Sequence, residues 1–191
     1  MKMLTKNFFL ISATALLMAT AHAQGAAKAE EALKPPAGPS QVLLANWNDN
    51  GRKLIAMAED FPEDKYDFKP NPAERSFAEQ LLHAANGNYF FIGPAKGMKP
   101  PMGDPKRADY ATKAAVVAFV KKSFADGAEL IKAKGDAGMN DVYLDPFAKN
   151  QQTRFSDGAW EFTEHSGEHY GQLVVYYRVA GMVPPESRPK K

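Results

Sequence analysis

From Ser40 to Asp60 apolar residues return every three or four positions: Leu43, Leu44, Trp47, Leu54, Ile55 and Ala58, with Gly51 in the same row. That spacing matches 3.6 residues per turn and predicts an amphipathic helix. Phe61-Pro62 ends it, because the residue before a proline is pushed out of the helical region. A second helix is predicted from an N-cap at Ser76, with Glu79 at the capping-box position, through SFAEQLLHAANGNYFFI to Gly93-Pro94. A third, about Thr112 to Lys134, carries Val116, Phe119, Val120, Phe124, Gly127 and Ile131 on one side. Lys113, Lys121, Lys122 and Asp126 form its wet face. A fourth spans about Asp157 to Ala180, with Gly181 placed to cap it and Pro184-Pro185 beyond.

Between these segments the periodicity lapses. PEDKYDFKPNPAERS and KGMKPPMGDPKR are punctuated by proline, and residues 135–156 read as a long irregular link. VYL at 142–144 and LVVYYRV at 173–179 are β-prone, but neither alternates, and the second continues the helical pattern. The expectation is an all-α domain over 39–185: a four-helix bundle with long crossover links.

The beginning of the chain changes the picture of where it works. MKMLTK is basic, FFLISATALLM is apolar, and Ala21-His22-Ala23 forms an A-x-A cleavage signature. Residues 1–23 are therefore expected to be a signal peptide cut after Ala23, which places the protein in the periplasm or outside the cell. The apolar run is too short for a membrane-spanning helix, so no membrane association is expected once it is removed. Residues 24–38 read as a flexible leader and 186–191 as a solvated tail.

Lys2 and Lys6 leave with the signal and no acid does, so the formal charge of +2 falls to zero. A neutral chain without a basic stripe argues against nucleic acid as a partner. There is no cysteine. That excludes disulfides, a protein thiol nucleophile and cysteine-based zinc sites.

The remaining chemistry lies in three histidines: His83, His165 and His169. Residues four apart on a helix stack one turn above another, so His165 and His169 can aim at one ion. Phe162, Gln172 and Tyr176 share their stripe, which therefore faces inward. His83 shares the inward stripe of the second helix with Glu79, Gly87 and Phe90, and Gly87 admits a close neighbour. A lone inward histidine is ordinarily a hydrogen-bonded core residue, and HxxxH alone occurs by chance. Three of three facing inward on neighbouring helices fit a His₃ site with open positions, the pattern of a catalytic ion.

Glu168 lies at the edge of the histidine stripe, and Glu79 and Glu161 each precede a histidine by one turn. These three are the candidate proton-handling groups, and Gln172 and Tyr176 are candidate pocket polar groups. Arg178 points to the other side and reads as a cation near a helix C-terminus. His165-Ser166-Gly167-Glu168-His169 also matches H-x-x-E-H, an inverted zinc-peptidase motif. That class needs a downstream acidic ligand, and only Glu186 follows.

SFAEQLLHAANGNYFF, followed much later by EHYGQLVVYYRVAGMVPP, resembles the DinB-like, YfiT-type superfamily. The connector AMAEDFPEDKYDFKPNPAERS is similar as well, so the likeness covers about residues 40–185. It implies an up-down-down-up bundle and a divalent metal on His83, His165 and His169. Zinc comes first, with nickel, iron or manganese as the other candidates. Members include thiol-dependent S-transferases or isomerases, hydrolases and many proteins of no known activity. Dimers are frequent among them, so the resemblance admits a homodimer. The export signal departs from the cytosolic setting of the thiol-using members, and the reaction class stays open between hydrolysis and thiol transfer on a small molecule. A metal- or ligand-binding bundle without turnover is the alternative.

Overall fold

The computed structural model describes residues 36–189. The predicted signal peptide, its cleavage site and nearly all of the leader lie outside the described residues. Among those residues there are four α-helices: α1 (Pro39–Asp60), α2 (Phe77–Phe91), α3 (Lys113–Lys134) and α4 (Phe155–Val179). None is long and apolar enough to cross a membrane.

Local chemistry sets their ends. Proline opens α1, where a missing N–H costs nothing. The predicted capping box starts α2, with Ser76 Oγ accepting from the Glu79 N–H and the Glu79 carboxylate accepting from the Ser76 N–H at 2.7 Å. Thr112 caps α3 through its side chain.

The paired residues give the direction of each helix. Going up α1, Trp47 meets Phe162 and Met57 meets Tyr177, so α1 and α4 run the same way. Gln80 meets His169 whereas Gly87 meets His165, so α2 opposes α4. Ala85 pairs with Ser123 and Tyr89 with Asp126, so α3 runs with α2. The bundle is up-down-down-up, as expected. Each of α1 and α2 packs on both α3 and α4. The first two helices are therefore diagonal, and the link from α2 to parallel α3 must travel back along the bundle.

Trp47, Phe124 and Phe162 fill the middle, with the Trp47 and Phe162 rings 4.4 Å apart. Burying each such ring contributes on the order of 2–3 kcal/mol. Phe61, Phe77, Tyr66 and Tyr177 form a second aromatic layer, Phe61 and Phe77 stacked at 3.8 Å. Two buried polar side chains of this layer are satisfied within the core: Trp47 Nε1 donates to Phe124 O at 2.9 Å and Ser123 Oγ to Ala85 O at 2.6 Å.

Two segments differ from the sequence expectation. The irregular link holds a hairpin, β1 (Val142–Leu144) antiparallel to β2 (Gln152–Arg154), and β2 runs straight into α4. Only Tyr143 of β1 is buried, its hydroxyl donating to Phe91 O at 2.6 Å, so three-residue strands left no alternation to read. The C-terminal run is not simply solvated. Arg188 pairs with Asp60 (Nη1 to Oδ1, 2.7 Å) and Glu186 with Arg52 (2.5 Å), which ties it to α1.

Candidate metal centre

Antiparallel α2 and α4 bring the three histidines together. The ring centroids of His83 lie 5.4 Å from His165 and 4.8 Å from His169, and those of His165 and His169 are 4.3 Å apart. One ring nitrogen from each lies within 4.8 Å of the others. His165 Nε2 and His169 Nε2 are 3.0 Å apart. Two nitrogens each ~2.0–2.1 Å from one ion are ~2.9 Å apart at a right angle and ~3.4 Å at the tetrahedral angle. The pair is therefore spaced as two ligands of one divalent cation.

The other ring nitrogens decide which lone pairs remain. His83 Nδ1 is 2.6 Å from Asp104 Oδ1, which fixes the proton there and leaves Nε2 free. Asp104 is in turn held by Arg75 at 3.2 Å. His169, 6 % exposed, has Nδ1 crowded by Gln80 at 2.6 Å and Gln172 at 2.9 Å, so Nε2 again faces the cluster. His165 Nδ1 is buried without a partner beside Gly87. Burial, reinforced by His169 and His83, pushes the His165 imidazole down to about 4, and burial lowers His169 as well. Both rings are thus held neutral, the form that binds metal. The donor set fits a divalent cation.

Asp104 was not foreseen. It lies in the proline-rich connector, where no periodicity marks an inward position. The fold supplies the reason for its place: the returning link runs beside α2, with Asn86 Nδ2 bonded to Gly103 O at 3.1 Å, so the next residue reaches His83. Asp104→Ala is expected to weaken zinc affinity ~10–100-fold without loss of helix, read by competition with a chromogenic chelator and by circular dichroism.

Three of the other candidate side chains, Glu79, Gln172 and Tyr176, are already engaged. The Glu79 carboxylate is engaged in the capping box, and that N–H bond holds it below the usual carboxylate range. Gln172 is exposed and its side-chain oxygen lies 2.9 Å from His169 Nδ1. Tyr176 is buried, its hydroxyl donating to Arg75 O at 2.6 Å. Glu186, the one downstream acid available to a peptidase site, is bound to Arg52. Glu161 and Glu168 are exposed and line a shallow groove with His165, Asp145 and Glu164.

Above His83 and His165 opens a cavity of about 520 Å³ bounded by Phe90, Phe91, Phe147 and Met102. Gly87 forms part of its wall, and a Cβ there would stand 2.9 Å from His165 Cε1 and 3.1 Å from Nδ1. Gly87→Ala therefore tests the seat of His165. Alanine favours the helix by ~1 kcal/mol, and the imidazole is the flexible end that yields. The apoprotein is expected to keep or raise its Tm, while zinc affinity falls at least ~10-fold, by analogy with loss of a ligand-orienting group.

The family model of the DinB superfamily matches residues 47–173. A DinB-like protein from Bacillus cereus superposes with TM-score 0.62 at 14 % identity, over 75 % of this chain and 93 % of its own. A DinB-like protein from Bacillus subtilis gives 0.61 at 16 % identity, over 78 % and 99 %. An uncharacterized protein from Clostridium difficile gives 0.59 at 11 % identity, over 76 % and 98 %. At such identities the likeness is one of fold. Among curated proteins none matches.

Proposed function

The chain belongs to the DinB superfamily, and from that premise we propose that it is an exported, zinc-dependent enzyme that hydrolyses a small molecule. The observation that carries the reading is the convergence of His83, His165 and His169 under an open cavity. A divalent ion held there supplies a Lewis acid. Asp104 keeps the proton on His83 Nδ1, and Arg75 keeps Asp104 in place. Gln80 and Gln172 orient His169. Phe90, Phe91 and Phe147 form an apolar wall on one side of the cavity.

Glu161 and Glu168 border His165 on its wet side and are the groups offered for proton exchange. Desolvation by the neighbouring chain, with the carboxylates of Asp145, Asp157 and Glu164 nearby, raises the Glu161 carboxyl. A raised carboxyl exchanges protons closer to neutral pH, which suits general acid–base work. This pair favours hydrolysis over thiol transfer. Export is supported by the N-terminal sequence, and N-terminal sequencing of the processed protein, beginning at Gln24, checks it.

Elemental analysis of protein purified without chelators or affinity tags tests the reading. One zinc per chain, removed by chelator and restored with hydrolysis of aryl esters such as p-nitrophenyl acetate, supports it. A folded protein that refuses zinc overturns it. Zinc without turnover of esters or amides reassigns the site to binding alone.

A further inference from the structure

The polar groups around the cavity are already engaged. Asn86 Nδ2 is bonded to Gly103 O, Asp104 is held between His83 and Arg75, and His165 Nδ1 is buried. Of the polar lining, the Asn86 side-chain carbonyl and the inward histidine nitrogens are left to meet a ligand. A sugar, a phosphate or a peptide backbone entering this space would lose hydration with few partners to replace it, at a cost of kilocalories per group.

The apolar lining is the reverse case. Phe147 stands edge-to-face to both Phe90 and Phe91, at 4.9 Å from each, and Phe91 lies 5.3 Å from His165. Yet Phe147 is 61 % exposed, and Met102 across the cavity is fully exposed. Tyr143 anchors the hairpin to Phe91 O and so fixes the loop that carries Phe147. Large apolar groups around a few inward polar donors are the lining that a small-molecule site shows.

We propose that this cavity binds a flat, uncharged aromatic molecule carrying one metal-ligating end group, its ring lying between the Phe90–Phe91–Phe147 wall and Met102. The end group depends on the zinc reading above; the aromatic body does not. The cavity volume of about 520 Å³ falls within the ~300–1,000 Å³ of small-molecule sites.

The test uses the full chain loaded with zinc and two hydroxamates as probes, by isothermal titration calorimetry. 2-Naphthohydroxamic acid is expected to bind at least ~100-fold more tightly than acetohydroxamic acid, the difference being the buried ring. Phe147→Ala should weaken the naphthyl compound ~10-fold and leave acetohydroxamic acid and zinc content unchanged. Met102→Ser, on the opposite wall and fully exposed, is the second variant. Equal affinities for the two hydroxamates, or indifference to both substitutions, would overturn the proposal. Should the chain hold no zinc, 2-naphthol with the metal-free protein decides the aromatic part. Binding weakened by Phe147→Ala supports it, and no binding rejects it; either result is separate from the failure of the metal reading.

Discussion

His169→Ala is expected to abolish stoichiometric zinc binding and to leave the bundle folded. Removing a group that merely orients a ligand costs ~10–100-fold in metal affinity, and His169 is itself a ligand, so its loss should cost more. Its Nε2 faces His165 Nε2 at 3.0 Å, and its Nδ1 is fixed by Gln80 and Gln172. No neighbouring side chain replaces it: among the described residues the cluster consists of His83, His165 and His169. The measurement is the zinc-induced rise in Tm. With free zinc a thousandfold above Kd, binding adds ~4 kcal/mol to the wild type, or roughly 8–16 °C for a domain of this size. The variant should show no rise. If the histidines were only a hydrogen-bonded core cluster, wild type and variant would respond alike to zinc and differ in the metal-free Tm alone.

The helices and the histidines were legible because both follow a period. Leu43, Trp47, Gly51, Leu54 and Ala58 return at helical spacing and are buried. The same period puts His165 and His169 on one face and His83 on a neighbour. Crossover links followed from the length of the proline-rich segments. What the period does not reach is chain that is positioned by its surroundings. Asp104 sits where it does because parallel α2 and α3 force the link back along α2. Phe147 reaches the cavity because a hairpin with one buried residue carries it there. Gln172 and Tyr176 share the histidine face, but side chains one turn on bond to a ring nitrogen and to a backbone carbonyl instead of facing the cavity. Face was predictable; the partner on that face was not. Glu79 shows the same limit, since its position satisfied two roles in sequence and the cap holds the carboxylate in the fold.

Gly127→Ala is expected to destabilise the protein by ~2–4 kcal/mol, although alanine in a helix interior ordinarily gains ~1 kcal/mol over glycine. A Cβ at 127 would fall inside the Trp47 indole, overlapping Cζ2 and standing 2.7 Å from Cε2 and Cη2. The indole has nowhere to go. It is fully buried, its Nε1 is bonded to Phe124 O, and Phe162 lies against it at 4.4 Å. α3 must therefore move outward or the ring must tilt, and the expected fall in Tm is roughly 5–15 °C. Trp47→Leu opens a cavity and is costly alone, but it removes the group that clashes. The double variant should then be more stable than the sum of the two losses predicts, which is the signature of a direct contact. The strain also points towards the metal centre. Phe162 Cε2 lies 3.4 Å from the place a Cβ on Gly87 would take, next to His165, so a displaced Trp47 presses on the residues that seat the imidazole. Zinc affinity in Gly127→Ala should fall together with stability, whereas in Gly87→Ala it falls with stability kept. Comparing the two separates the packing that supports the site from the packing that forms it.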